Sequence, residues 1–168
     1  MDFENIEITF ALQKLINAGA DREKIKQYDI FILPENVNGK SDDLYDAQDA
    51  IKLSKLLKSQ GIKCANAFDL GLDLPTTERR SNDIWLGEIY ILKDVVLPTL
   101  ISVVSGVLAA LIYDWKKRKD LREPAGVVHA DITLIKEEGK TQLHYNGDPE
   151  GFIKILKTLQ REEDVQTD

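Results

Sequence analysis

The sequence predicts an α+β protein: a small N-terminal βαβ-like module over residues 1–80, one long apolar helix over 85–119, and a C-terminal ββα module over 127–160. Three observations carry this. Two short apolar runs bracket a helical pattern in the first part, and residues 95–113 contain no charge. Near the C-terminus, two alternating runs precede an i, i+3, i+4, i+7 pattern.

In the first module Ile8, Ala11, Leu12, Leu15 and Ile16 share one helical face, and Gly19 follows where a helix stops. Asp29 to Pro34 is a short apolar run closed by proline, which marks a buried strand. Ser41 is a good N-cap with Asp42 and Asp43 set against the helix dipole, and Leu44, Ala47, Ile51, Leu53 and Leu57 form an apolar face ending before Gly61. Ile62 to Leu70 reads as a second strand. Strand, helix and strand in this order form a right-handed crossover with parallel strands. No glycine-rich phosphate loop follows either strand, so the unit offers no nucleotide cradle. A linker, Gly71 to Asp83, carries Glu78, Arg79 and Arg80, a candidate contact for an acidic partner that reads equally as a surface ion pair.

The uncharged run at 95–113 would make a helix of ~28 Å, close to the ~30 Å hydrocarbon core of a bilayer. Aromatic residues flank it, Trp85 and Tyr90 before and Tyr113 and Trp115 after, and Lys116, Lys117, Arg118 and Lys119 follow at once. Net charge is −1 over 85–94 and +3 over 114–122, which orients a spanning helix with the C-terminal module in the cytoplasm. Ser102, Gly106 and Ala110 recur every fourth residue as a strip of small side chains suited to close helix association. The run shows no charged face, so it calls for a cover of lipid, of sister helices or of partner chains. Pro98 is compatible with a helix that starts there and would kink one running from Trp85.

In the last module Val128, Ala130, Ile132 and Leu134 alternate with His129, Asp131 and Thr133. A turn at Glu138-Gly139 sets Leu134 opposite Leu143, Ile132 opposite Tyr145 and His144 opposite Thr133, with both histidines on the solvent side. Asp148 caps a helix with Pro149 at its first position, and Phe152, Ile155, Leu156 and Leu159 cover the hairpin.

The chain has 168 residues, 22 basic against 29 acidic, for a net charge of −7. That balance argues against nucleic acid as a partner, because phosphate affinity depends on clustered cations. A single cysteine, Cys64, excludes an internal disulfide and reads as a small buried hydrophobe. His129 and His144 are too far apart in the expected register to share a metal ion. Asp42, Asp43, Asp46 and Asp49 read as a solvated helix start. With no Ser/His/Asp or Cys/His arrangement, the expectation is a chain without enzyme activity or a cofactor.

One resemblance adds to this. Gly87-Glu88-Ile89 leads into the apolar segment, Trp115 and Arg118 mark its exit, and Asp131-Ile132-Thr133-Leu134, Gly139-Lys140 and Gly147-Asp148-Pro149-Glu150 follow. In that order, over residues 79–159, the chain resembles the effector-associated constant component proteins of bacterial multi-component conflict (anti-phage) systems. The likeness implies a noncatalytic adaptor encoded with an NTPase or protease switch and a toxic effector. The apolar segment here is greasier than that pattern, and the N-terminal module has no counterpart in it. The combined expectation is an adaptor or effector subunit anchored in the bacterial inner membrane, homo-oligomeric through Ser102, Gly106 and Ala110. The alternative is a cytoplasmic interaction subunit whose apolar helix is buried in a multi-protein complex.

Overall fold

A computed structural model describes residues 6–77, 83–92, 97–118, 126–136 and 139–166. The element order is α1 (Ile6–Asn17), α2 (Arg22–Ile25), β1 (Ile30–Leu33), α3 (Ala50–Ser59), β2 (Cys64–Asn66) and a 3₁₀ turn (Phe68–Leu70). It continues with β3 (Ile84–Leu92), α4 (Leu97–Arg118), β4 (Val128–Lys136), β5 (Gly139–Gly147) and α5 (Pro149–Gln166). The strands form one sheet in the order β2-β1-β3-β4-β5. β1 and β2 run parallel, as do β3 and β4, while β1–β3 and β4–β5 are antiparallel. Two βαβ units are thus stitched together through β3, and the chain ends in a hairpin and a helix.

This architecture overturns the membrane-spanning reading. The apolar helix is α4, the crossover between parallel strands β3 and β4. Val104, Leu108 and Leu111 are buried in one cluster with Ile89, Ile91, Ile132 and Leu134 of the sheet, and with Leu53 of α3 and Phe152 of α5. Its own chain provides the cover that its greasy face requires. Among the described residues no helix is long and apolar enough to cross a membrane.

The helical reading of residues 85–92 fails for a related reason. They form the central strand β3, flanked by β1 and β4. A strand covered on both faces reads as a continuous apolar run and blends into the crossover helix that follows it. The helix restarts at Leu97, which puts Pro98 in its first turn, where proline is tolerated.

The predicted βαβ unit of the N-terminal half is present and parallel, with Ile30 opposite Cys64 and Ile32 opposite Asn66. Its helix starts at Ala50, eight residues later than a Ser41 cap would imply. Asp49 explains the delay. Its N–H donates to the Trp85 carbonyl at 2.9 Å and its carboxylate accepts the Trp85 N–H at 2.8 Å, so the residue just before the helix is tied to β3 and the chain begins to coil only after it. The second strand stops at Asn66 because Asn66 and Asp69 exchange side-chain-to-backbone bonds, both 3.0 Å, that close the 3₁₀ turn.

The hairpin alternates as predicted but is shifted by two residues. Ile132 opposes Leu143, Ala130 opposes Tyr145 and Lys136 opposes Gly139, so the connection is residues 137 and 138, which lie outside the described set. An even shift keeps every side chain on its predicted face and changes every cross-strand neighbour.

One face of the sheet packs against α3, α4 and α5. The other is covered by α1 and the segments around Val37, Leu44 and Leu70–Leu72, but only over β2, β1 and the C-terminal ends of β3 and β4, where Phe31, Leu33, Tyr90, Leu92 and Ile135 are buried. Over the first half of β4 and along β5 this second face stays open.

Candidate functional site

Cross-strand pairing on this second face generates three rows, the last of them at its covered end. They are Trp85–His129–Asn146, Glu88–Asp131–His144 and Tyr90–Thr133–Gln142. Trp85 and Glu88 are three residues apart and would point to opposite faces of a regular strand. A bulge between Trp85 and Gly87 inserts one residue and brings both to the same face. Gly87 makes the bulge feasible with φ +80, and a Cβ there would lie 3.1 Å from both the Leu33 carbonyl oxygen and the Ala47 Cβ. Gly87→Ala should therefore lower stability by roughly 1–2 kcal/mol, read as the midpoint of urea unfolding. An unchanged midpoint would show that the bulge does not need glycine.

The rows are tied together by side-chain hydrogen bonds. Asp83 Oδ2 lies 3.0 Å from His129 Nε2, His129 Nδ1 lies 2.5 Å from Asn146 Oδ1, and Asn146 Nδ2 lies 2.8 Å from His144 Nε2. His144 Nδ1 meets Asp131 Oδ1. Asp131 bonds in turn to Glu88, which also bonds to Asn38, and the Asn38 amide donates to the Tyr90 hydroxyl at 3.0 Å. The chain thus runs from Asp83 to Tyr90 across three strands. The Trp85 ring stacks on His129 with centroids 3.7 Å apart and planes 12° from parallel.

Donor and acceptor counting restricts its protonation. With the Asn146 amide as placed, its N–H donates to a bare His144 Nε2, and His129 must donate from both nitrogens, to Asn146 and to Asp83. Turning the amide exchanges the roles, so that His144 Nε2 donates to Asn146 and His129 Nδ1 accepts from it. Either orientation accommodates one imidazolium. Hydrogen bonding to the Asp131 carboxylate raises the His144 pKa. Burial and the adjacent Asp131 charge push the Glu88 carboxyl up to about 8, which favours a proton held between Glu88 and Asp131.

The residues singled out from the sequence are dispersed. Ser102, Gly106 and Ala110 lie exposed on the outward face of α4, on the opposite side of the sheet from this network. Trp85 and Tyr90, expected at a membrane interface, belong to β3. Trp85 is half-buried against His129, and Tyr90 is buried in the core of the covered face. Tyr113 is exposed. Trp115, Lys116, Lys117 and Arg118 extend α4, but their side chains lie outside the described residues, as do Lys119 and the Glu78, Arg79 and Arg80 group.

The four aspartates expected at one helix start also separate. Asp42 and Asp43 are exposed in a loop, whereas Asp46 and Asp49 are buried, and burial pushes Asp46 up to about 6. No group of three or more metal-ligating side chains is placed to hold an ion among the described residues. Cys64 is buried beside Ser54, and burial pushes its thiol up to about 12. The native protein should therefore stay unmodified by a thiol reagent at pH 8 that labels it fully in denaturant; rapid native labelling would contradict that burial.

Sequence reasoning missed Glu88, Asp83, Asn38 and Asn146, and it placed His144 opposite Thr133 rather than Asp131. The available signal was local. In a hairpin closed by residues 137 and 138, Asp131 and His144 face each other, a pairing that a turn at 138–139 hides. Comparison of the chain with protein-family models, with curated proteins and with solved structures finds no match.

Proposed function

We propose that the chain is a cytoplasmic, noncatalytic interaction subunit of a multi-protein complex, and that the open face of its sheet is a docking surface. The observation that carries this reading is the hydrogen-bonded array from Asp83 through His129, Asn146, His144 and Asp131 to Glu88. Exposed ion pairs contribute little to folding. An array whose rotamers are already fixed lowers the ordering entropy of association, and an aromatic stack at its edge suits an interface. The network includes no activated nucleophile and no donor pair for an oxyanion, which favours recognition over catalysis. The resemblance to effector-associated constant components supports the same class and points to a partner encoded alongside, an NTPase, a protease or an effector. A lone buried thiol suits a reducing compartment.

The test is affinity capture of the tagged chain from its own host, with Asp131→Asn and His144→Gln variants alongside the native sequence. A stoichiometric partner retained by the native chain and lost from variants of unchanged thermal stability is the expected result. An identical set of captured proteins would sink the docking role.

A further inference from the structure

The sheet has two edges of different character. β2 is three residues long, whereas β5 runs for nine, paired on its inner side with β4 without a break from Val128↔Gly147 to Lys136↔Gly139. Among the described residues no backbone hydrogen bond reaches β5 from its outer side. Edge strands are usually blunted by shortness, proline, a bulge or several charges. β5 has no proline, its ladder with β4 has no bulge, and it carries Lys140 and His144 but no carboxylate, in a chain of net charge −7. Acidic repulsion therefore does not originate at this edge.

Backbone direction identifies the free groups. Val127 presents both its N–H, to Asp83, and its C=O, to the Ile84 N–H, on the β3 side. Alternation then turns Val128, Ala130, Ile132, Leu134 and Lys136 toward β5, so their partners Gly147, Tyr145, Leu143, Thr141 and Gly139 use their backbone groups inward. The N–H and C=O groups of Lys140, Gln142, His144 and Asn146 face outward.

We propose that β5 pairs antiparallel with β5 of a second copy about a two-fold axis at Leu143, making one continuous sheet across a dimer. This goes beyond the docking reading and does not depend on it. The register is the one that uses every outward group: residue 140 opposes 146 and residue 142 opposes 144 as hydrogen-bonded pairs, each exchanging two bonds. Leu143 opposes itself in a non-hydrogen-bonded pair, where side chains are closest. Leu143 and Tyr145, half-buried against the core cluster, would extend that core across the axis. Such an interface is isologous and closes at two copies.

Sedimentation should give twice 19.0 kDa for the native chain. Gln142→Pro removes an outward N–H and no bond to β4, so it should give a monomer with native circular dichroism. Only a residue on the two-fold meets its own copy. Leu143→Cys should therefore form a reducible covalent dimer on mild oxidation, whereas Thr141→Cys, on the same face but opposite residue 145, should not. A native chain that sediments as a monomer overturns the proposal, as does a dimer indifferent to Gln142→Pro or cross-linking as good at 141 as at 143. Should Gln142→Pro fail to fold, the cysteine pair decides.

Discussion

Replacing Leu108 with Asp should abolish folding, while replacing Gly106, two residues away on the same helix, with Leu should leave the protein as stable as before or slightly more so. Leu108 is 1% exposed and lies in the cluster that joins α4 to the sheet and to α3 and α5. Even Leu108→Ala, which only creates a cavity, should remove about 2–5 kcal/mol. An unpaired carboxylate at that site adds a desolvation penalty and brings the total to the order of the whole stability of a domain. Gly106 is exposed, and a Cβ built there meets nothing within 4 Å. Leucine also gains up to about 0.8 kcal/mol of helix propensity over glycine. A helix held by lipid or by sister helices through its small-residue strip gives the opposite ranking, with position 106 intolerant and position 108 permissive. Urea unfolding of Leu108→Ala and Gly106→Leu, followed by circular dichroism, reads the order directly.

That ranking also explains why α4 misleads as a sequence. Amphipathic helices are recognised by charges on the solvent side, and α4 marks its outer face by size instead. Ser102, Gly106 and Ala110 point out while Val104, Leu108 and Leu111 point in. Period 3.6 is present, but in volume rather than polarity. The elements that were legible either have one wet face or, like β1 and β2, are short apolar runs set off by the turns around them. The helix faces of α3 and α5 and the alternation of β4 and β5 follow from a polar–apolar period, and the crossover from β1 to β2 follows from the apolar runs on either side of α3. β3 lacks one, since Leu86, Ile89, Ile91 and Leu92 are buried along with Tyr90.

The candidate site was hidden for a further reason. Its acids and bases come from β3, β4, β5 and a loop, and only the sheet order brings Glu88 beside Asp131 and Asn38. No spacing in the chain encodes that meeting. Asp131 and His144 were the local pair within reach, and a turn misplaced by one residue moved each off the other.

The stability of the native protein should fall as pH rises from about 4 to above 8, against the usual expectation of a broad optimum near neutrality. Three groups act in the same direction. Burial and Asp131 push Glu88 from 4.5 up to about 8, burial pushes Asp46 from 3.8 up to about 6, and Asp131 raises His144 above 6.5. Each binds its proton more tightly folded than unfolded. Their contributions are complete below the unfolded values and are lost as pH climbs through the folded ones, that of Asp46 before that of Glu88. Asp46 is 5% exposed and should express its shift nearly in full, whereas water reaching Glu88 along the open face screens part of its interaction. Asp46 alone should account for about 3 kcal/mol, at 1.36 kcal/mol per pKa unit between 3.8 and about 6, and the screened share of Glu88 adds to it. Glu88→Gln separates the contributors, because an amide keeps a donor toward Asp131 and cannot ionise. It should leave stability unchanged near pH 4.5, flatten the decline between pH 6 and pH 8.5, and retain the earlier step that belongs to Asp46. Chemical unfolding across this range measures the slope. A native curve that is level, or a Glu88→Gln curve parallel to it, would mean that Glu88 is ionised at neutral pH and that no proton is held between it and Asp131.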